Sequence, residues 1–234
     1  YNSELTKGLA AELAKNLGCQ LLTVPIGDFI DETADALEGL PLPDDTVHLT
    51  GFMKENMQAR DRSSRILAAL SAAFGGIFTC NANKTETTVG YGTLYGDLAG
   101  AFAATADLWK YQIYDLGRKL NAWYGRAVIP EGIFTVMPSA ELSENQDVTQ
   151  GKGDPLIYEY HDYLFRSFIE PWQRQTPEDI LKAYAKGNLE DLIGCSIIVS
   201  NIFPTAKDFI EDLEKWWNLF SGFAVAKRIQ TPPL

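Results

Sequence analysis

The segment NMQARDR, residues 56–62, carries two side chains whose spacing could serve ligand binding. Asn56 and Arg60 are four residues apart, which places them on one face of a helix. An amide and a guanidinium on one face can bind a carboxylate, a phosphate or an amide. A solvated face of an amphipathic helix explains the same pattern and is the commoner case.

A second polar segment, CNANKTETTVGYGTLYGD, occupies residues 80–97 and begins in a predicted buried strand. In open α/β sheets, ligands bind at the carboxyl ends of the strands. Glu86 and Asp97 offer carboxylates, which suit a magnesium ion. Three glycines would let the backbone approach a ligand closely. A helix cap followed by a glycine-rich loop fits the segment equally well.

Three further polar side chains stand out, and one of them, Ser139, could hydrogen-bond a phosphate through its hydroxyl and nearby amides. Lys110 lies at the start of a predicted helix, Ser139 lies in PSAEL, residues 138–142, and Lys227 begins a basic pair near the C-terminus. A solvated lysine, a helix cap and an incidental basic pair are the ordinary explanations. The sequence has no phosphate-binding loop of the G-x-x-x-x-G-K-[ST] type, no G-x-G-x-x-G and no H-E-x-x-H.

The elements that must position these residues follow from apolar periodicity. Two short apolar runs predict buried strands, and a long proline-containing segment predicts a loop that is functional or mobile. Strands flanked by helices, with more helix downstream, predict an α/β layered fold. The strands are predicted at 19–26 and 75–83, the loop at 125–155, and helices at 3–17, 28–38, 52–74, 108–120, 155–170, 177–193 and 205–220.

Composition narrows the function further. The chain has 234 residues, 46% apolar, with a net charge of −11 and no run of basic residues. This argues against binding to nucleic acid or to an anionic membrane. Three cysteines without a C-x-x-C, and two histidines, argue against a disulfide framework and a zinc site. A reducing, cytoplasmic setting is expected.

Taken in order, six segments resemble the motifs of NAD synthetases. They are NMQARDR, NKTE, GYGTLYGD, DLWKYQIYDL, PSAEL and KRIQTPP, and the resemblance runs from residue 1 to about residue 233. The tail and the T-L-Y-G-D variant, with Leu94 and Ala101, are similar to the glutamine-dependent branch. The resemblance implies a three-layer α/β fold of the adenine-nucleotide α-hydrolase type (N-type ATP pyrophosphatase) with a helical C-terminal part.

The resemblance also implies an activity. NAD synthetases are ligases that form a carbon–nitrogen bond. ATP adenylates the nicotinate carboxylate of deamido-NAD and releases pyrophosphate; ammonia, free or derived from glutamine, then displaces AMP to give NAD. ATP and Mg²⁺ are the implied cofactors, and a homodimer or higher homo-oligomer is the expected assembly.

The resemblance assigns binding roles to seven residues and a catalytic role to none. Asn81 stands where the family usually has a threonine. The assigned roles are deamido-NAD binding by Asn56, Arg60, Glu86 and Lys227, ATP binding by Asn81, Lys110 and Ser139, and metal binding by Glu86.

The family's S-G-G-x-D-S loop wraps the ATP pyrophosphate and precedes the helix that begins this chain. We therefore expect residues 1–234 to be one synthetase domain without its first strand, that loop or a glutaminase domain, and hence an inactive fragment. Its expected parts are an α/β core at 1–124, a mobile loop at 125–154 and a helical part at 155–234. The alternatives are another amidating ATP pyrophosphatase, of the GMP or asparagine synthetase kind, and a non-catalytic dinucleotide-binding or assembly module.

Overall fold

The computed structural model describes residues 2–143 and 146–233, and helices are its regular elements. A π-helical segment, Asp61–Leu67, joins α3 to α4, and a 3-10 turn occupies Val148–Gln150. The α-helices are α1 (Glu4–Leu17), α2 (Gly27–Leu37), α3 (Gly51–Arg60), α4 (Ala68–Phe74), α5 (Lys84–Val89), α6 (Lys110–Tyr124), α7 (Glu131–Thr135), α8 (Tyr158–Ile169), α9 (Pro177–Lys186), α10 (Leu189–Ile193), α11 (Val199–Ile202), α12 (Ala206–Ser221) and α13 (Ala224–Gln230).

The ends of the helices are set by local capping signals that the sequence carries. The Ser3 side chain accepts a hydrogen bond from the Thr6 backbone N–H, and Gly18 ends α1 in a left-handed conformation. Thr205 and Asp208 form a reciprocal capping box at the start of α12. Such signals are local, and the helices predicted around them are confirmed.

The two predicted strands are absent from the described residues, which is a correction to the expected sheet. Residues 19–26 are irregular and largely exposed, and residues 76–83 are likewise irregular. The one β-type pairing within the described residues is an isolated antiparallel bridge between Pro41 and Thr46. A strand is stabilised by a neighbouring strand, and an apolar run by itself does not supply one.

The chain divides into two compact units, each described by itself. The first comprises Tyr1–Phe78, Thr93–Gly100 and Tyr114–Pro155. Its helix α1 buries no residue, and Leu5 and Leu17 of the predicted apolar stripe are 49% and 55% exposed. The first unit therefore holds little apolar core of its own.

The second unit comprises Thr79–Gly92, Ala101–Ile113 and Leu156–Leu234, and it contains the main hydrophobic core. Helices α8 and α12 contribute fully buried aromatic side chains, including Phe165 and Trp216, whose ring centroids are 5.5 Å apart. The ring of His161 packs against both, with centroids 5.2 Å from each, and its Nε2 is 3.0 Å from Asp212 Oδ2. Burial lowers the pKa of His161, which keeps the imidazole neutral in this core.

None of the helices in residues 2–143 and 146–233 combines the length and apolar content that a membrane span requires.

Candidate functional site

In the first unit, helix α3 is hydrogen-bonded to the glycine-rich segment 93–97. The Thr93 hydroxyl donates to Asn56 Oδ1 at 2.9 Å, and Arg60 Nε donates to the Leu94 carbonyl at 3.1 Å. Asp97 accepts a hydrogen bond of 2.6 Å from the Thr93 backbone N–H, which holds the segment in a tight turn. The structure therefore brings the N-x-x-x-R face together with GYGTLYGD, although 37 residues separate Asn56 from Thr93.

The PSAEL segment is attached to the same helix. Gln58 Nε2 donates to the Leu142 carbonyl at 2.9 Å. The Ser139 hydroxyl donates to the Gln146 carbonyl at 2.6 Å and accepts from the Glu141 backbone N–H at 3.1 Å. Helix α3, which carries Asn56 and Arg60, is thus linked through Gln58 to the segment that carries Ser139.

Glu141 ties PSAEL to the beginning of α1. It has a φ of +46°, which is unusual for a residue other than glycine. Its buried carboxylate accepts hydrogen bonds from Ser3 N at 3.1 Å, Thr6 Oγ1 at 2.6 Å and Asn2 Nδ2 at 3.3 Å. Burial raises the pKa of this carboxyl, but the hydrogen bonds from Thr6, Ser3 and Asn2 outweigh it and leave the pKa lowered.

In the second unit, Glu86 is part of a capping box on the short helix α5. Glu86 Oε2 accepts from the Asn83 backbone N–H at 3.0 Å, and Asn83 Oδ1 accepts from the Glu86 N–H at 3.0 Å. Glu86 Oε1 also accepts from Asn83 Nδ2 at 2.7 Å and from the Tyr158 hydroxyl at 3.3 Å. The helix-cap explanation of NKTE is therefore correct as local structure, and it leaves the ligand-binding prediction open.

Tyr158, on helix α8, brings two predicted ligand-binding residues together. Its hydroxyl reaches Glu86, and the Lys110 ammonium lies 5.1 Å from the centroid of its ring, within the range of a cation–π contact. The sequence did not single out Tyr158. Its position in the predicted helix at 155–170 was the one available signal, and helix prediction alone does not say which segments a side chain contacts.

Lys227 reaches back to the end of α5 from helix α13. Its ammonium donates to the carbonyls of Gly90, at 2.7 Å, and Gly92, at 2.5 Å. Gly90 has a φ of +67°, and a Cβ at this position would lie 2.9 Å from the Ala224 Cα atom. The close approach of α13 to α5 therefore requires glycine at residue 90.

Asn81 is an exposed residue between the buried Cys80 and Ala82, in the segment that leads into α5. Its Oδ1 accepts a hydrogen bond of 2.9 Å from the Thr79 hydroxyl. The Thr105 hydroxyl donates to the Ala82 carbonyl at 3.0 Å and contacts the Asn81 carbonyl at 3.4 Å. These contacts fix the backbone of the segment and leave the Asn81 side chain on the surface.

Lys84, the lysine of NKTE, forms an ion-pair cluster. Its ammonium is 2.9 Å from Glu170 and 3.0 Å from Asp107, and it lies 5.3 Å from the centroid of the Trp109 ring. Burial lowers the pKa of Lys84, but the hydrogen bonds to Glu170 and Asp107 outweigh it and raise the pKa. The lysine is therefore charged, and it fastens α5 to the segment that precedes α6.

A family model described as NAD synthase matches residues 1–193. The chain belongs to the NAD synthase family. It is 39% identical over 183 residues to the glutamine-dependent NAD(+) synthetase of Thermotoga maritima, covering 77% of this chain and 30% of that protein. The chain thus spans about a third of the length of the curated relatives it matches.

Solved structures agree with this membership of the NAD synthase family. The glutamine-dependent NAD⁺ synthetase of Acinetobacter baumannii, solved with ADP, superposes with a TM-score of 0.51 at 28% identity, covering 83% of this chain and 32% of that one. The Cytophaga hutchinsonii enzyme gives a TM-score of 0.69 at 19% identity over 99% of this chain and 33% of that one, which shows the fold alone. These neighbours place the chain in an α/β fold family.

The resemblance of the six sequence segments to NAD synthetase motifs implies a magnesium ion, for which the sequence offers Glu86. Within residues 2–143 and 146–233, no group of three or more His, Cys, Asp or Glu side chains could hold a metal ion. Magnesium is commonly bound through one or two carboxylates together with waters and substrate phosphates. A single carboxylate at Glu86 fits that kind of site.

Proposed function

We propose that this chain forms part of a glutamine-dependent NAD synthetase, which converts deamido-NAD to NAD with ATP as the energy source. The observation that carries the proposal is the family match over residues 1–193, which spans five of the six ordered motifs. The structure supports it by joining distant motifs within each unit, as in the contacts of α3 with the segment 93–97 and of α13 with α5.

The proposed reaction has two steps. The nicotinate carboxylate attacks the α-phosphate of ATP, which forms an acyl adenylate and releases pyrophosphate. Ammonia, from glutamine or free ammonium, then adds to the acyl carbon, loses a proton and expels AMP. A bare carboxylate is a poor acyl donor, so the mixed anhydride supplies the leaving group. Holding both reactants in place removes a large part of the entropic barrier.

Binding roles are proposed residue by residue. Lys110 and Ser139 would contact ATP phosphates, through an ammonium and a hydroxyl respectively, and Asn81 would contact ATP by its amide. Glu86 would hold Mg²⁺, which when bound stabilises negative charge on the leaving pyrophosphate. The residues proposed for deamido-NAD are Asn56, Arg60, Glu86 and Lys227.

The proposal extends to the organisation of the protein. Residues 1–234 would form part of one synthetase domain with the three-layer sheet of the family, in which 125–154 is a mobile loop. The working enzyme would be a homodimer or higher oligomer. It would act in a reducing, cytoplasmic setting, and the free Cys19, Cys80 and Cys195 support that setting.

The test is a direct assay of amidation. Deamido-NAD, ATP, Mg²⁺ and ammonium are incubated with this chain, and with this chain extended by the preceding segment of the Thermotoga maritima relative. NAD, AMP and pyrophosphate are quantified by mass spectrometry. We expect the extended form to produce NAD and AMP in equal amounts.

Three other outcomes would contradict the proposal. Amidation of a different carboxylic acid, with deamido-NAD untouched, would favour another amidating ATP pyrophosphatase. Binding of deamido-NAD without ATP cleavage, in both folded forms, would favour a binding module. Absence of both binding and turnover in the folded forms would remove the assignment altogether.

Matched variants connect the assay to the site. Arg60→Ala should weaken deamido-NAD binding, and Lys110→Ala should weaken ATP binding, each by about 10-fold or more if a charge-assisted hydrogen bond is lost. Arg174→Ala and Lys182→Ala remove exposed charges outside the motifs and should change neither affinity. If the control variants change the affinities as much as the site variants do, Arg60 and Lys110 do not belong to the ligand-binding site.

A further inference from the structure

The start of helix α6 is capped by side chains from other parts of the second unit. The first backbone N–H groups of a helix have no partner within the helix. Here the Lys110 N–H is 3.3 Å from the Thr85 hydroxyl oxygen, and the Tyr111 N–H donates to Asp162 Oδ2 at 2.9 Å. The preceding Trp109 N–H is satisfied by the Gln112 side chain at 2.9 Å.

Asp162 joins three helices through one carboxylate. It lies on α8 and is fully buried, its Oδ2 accepts from Tyr111 on α6, and its Oδ1 accepts from the Thr85 hydroxyl on α5. Thr85 in turn accepts from the Lys110 N–H, which closes a small network around the first residue of α6. A buried carboxylate is tolerated when both oxygens are hydrogen-bonded, as they are here.

The same face of α8 contacts the side chains of the two motifs. Tyr158 precedes Asp162 by four residues, so both project from one side of the helix. Tyr158 contacts Glu86 and Lys110 through their side chains, whereas Asp162 holds the segments that carry them.

We propose that Asp162 is a positioning residue, which fixes Lys110 at the start of α6 relative to Glu86 on α5 and thereby sets the affinity of the site for nucleotide phosphates. The ligand named here rests on the proposed function. The positioning itself rests on the network of Asp162, Thr85 and the N–H groups of Lys110 and Tyr111.

The ionisation of Asp162 agrees with this role. Burial raises the pKa of its carboxyl to about 6, while Thr85, the Tyr111 N–H and the charge of Lys110 act in the opposite direction. At neutral pH the group is therefore a carboxylate, with both oxygens available as acceptors. Alanine at this position leaves the Thr85 hydroxyl and the Tyr111 N–H without their partner. Asparagine keeps one acceptor for Tyr111 and can donate its amide to Thr85.

The experiment combines titration calorimetry of Mg-ATP with amide hydrogen exchange. The variants are Asp162→Ala, Asp162→Asn, Lys110→Ala and the double variant Asp162→Ala with Lys110→Ala. Asp179→Ala is the control, because Asp179 is likewise a capping carboxylate but acts on α9. Thermal melting of every variant confirms that it is folded before binding is compared.

We expect Asp162→Ala to weaken the binding of Mg-ATP by about 10-fold, as for loss of a charge-assisted contact. Asp162→Asn should recover most of the affinity. The double variant should bind no more weakly than Lys110→Ala, since Asp162 acts through Lys110. The N–H groups of Lys110 and Tyr111 should exchange faster in Asp162→Ala and not in Asp179→Ala. Additive losses, or an unchanged affinity in Asp162→Ala, would overturn the proposal.

The experiment distinguishes a failure of the proposed function from a failure of the positioning role. If the unaltered chain does not bind Mg-ATP, in the original or the extended form, the assignment of the nucleotide fails. The positioning role is then decided by hydrogen exchange alone. Faster exchange at Lys110 and Tyr111 confined to Asp162→Ala supports it, and unchanged exchange refutes it.

Discussion

At the scale of single residues, Glu86 and Lys227 show how predicted ligand-binding groups are used by the protein itself. The Glu86 carboxylate caps α5, and the Lys227 ammonium is hydrogen-bonded to two backbone carbonyls. A ligand that binds these groups competes with hydrogen bonds that already exist. The net gain in affinity from each is therefore smaller than the contact alone would give.

Substitution of Glu86 can separate its structural role from its ligand-binding role. Glutamine at the third position of a helix also serves in a capping box. Glu86→Gln should therefore leave the melting temperature almost unchanged while it weakens the binding of Mg-ATP. Glu86→Ala should weaken binding and also cost about 1 kcal/mol of stability, the usual loss on removing a cap. Thermal melting and calorimetry on both variants make the comparison, and equal Mg-ATP affinity in all three proteins would refute the metal role.

Asp162 predicts a specific dependence of stability on pH. Its pKa is raised from 3.8 to about 6 in the folded protein, so the folded state binds more protons than the unfolded state between these values. The charged groups acting on it are Lys110, which lowers the pKa, and Glu159, which raises it. The free energy of unfolding of the protein, relative to Asp162→Asn, should fall as pH rises through this window and level off above it.

Urea denaturation of both proteins across this pH range measures the difference. Asp179→Asn is the control, because hydrogen bonds from Thr176 lower the pKa of Asp179. Its unfolded value lies at the lower edge of the window and its folded value lies below that, so its relative stability should not fall as pH rises through the window. A difference between the protein and Asp162→Asn that does not vary with pH would contradict the raised pKa.

At the scale of elements, the contact between α13 and α5 depends on glycine at residue 90. A side chain there meets Ala224 at 2.9 Å and also strains a backbone with φ of +67°. Gly90→Ala should destabilise the protein by about 2–4 kcal/mol, which combines the left-handed penalty with the cost of overpacking.

Gly187→Ala is the matched control for this substitution. Gly187 ends α9 with a φ of +70°, and nothing lies within 4 Å of a Cβ built there. It should cost about 1–2 kcal/mol, the conformational penalty alone. Equal losses in urea denaturation would show that α13 does not pack closely on α5.

At the scale of the whole molecule, apolar burial is distributed unequally. The main hydrophobic core lies in the second unit, where α8 and α12 bury Phe165, Phe168 and Trp216 almost completely. Helix α1 of the first unit buries no residue. Helices held by few buried contacts open locally at a lower free energy than core helices.

Native-state hydrogen exchange should reveal this difference. Amide groups in α12 are expected to exchange at rates governed by global unfolding, and those in α1 much faster through local opening. Mass spectrometry of peptides from Glu4–Leu17 and Ala206–Ser221 provides the measurement. Equal protection of the two helices would mean that α1 has a partner that the described contacts do not include.

The sequence by itself determined most of the longer helices and the family. It did not predict the short helix α7 within the expected loop, nor the division of the predicted helix 177–193 into α9 and α10. Helix caps such as Ser3 and Thr205, and the apolar periodicity of the helices that follow them, are local signals that depend only on residues close together in the sequence. The ordered motifs identified the family because their order and spacing can be read from the sequence alone. These signals do not depend on how the chain folds back on itself.

Only the tertiary structure decided whether the apolar runs form strands and what holds the motifs in place. The apolar runs at 19–26 and 75–83 do not pair in the structure, because pairing depends on a neighbouring segment that periodicity does not identify. The short helix α5 was one of two open alternatives, since its polar sequence matches a ligand-binding segment as well as a helix cap. Asp162 and Tyr158 gained their roles from contacts across more than 40 residues, which no local pattern encodes.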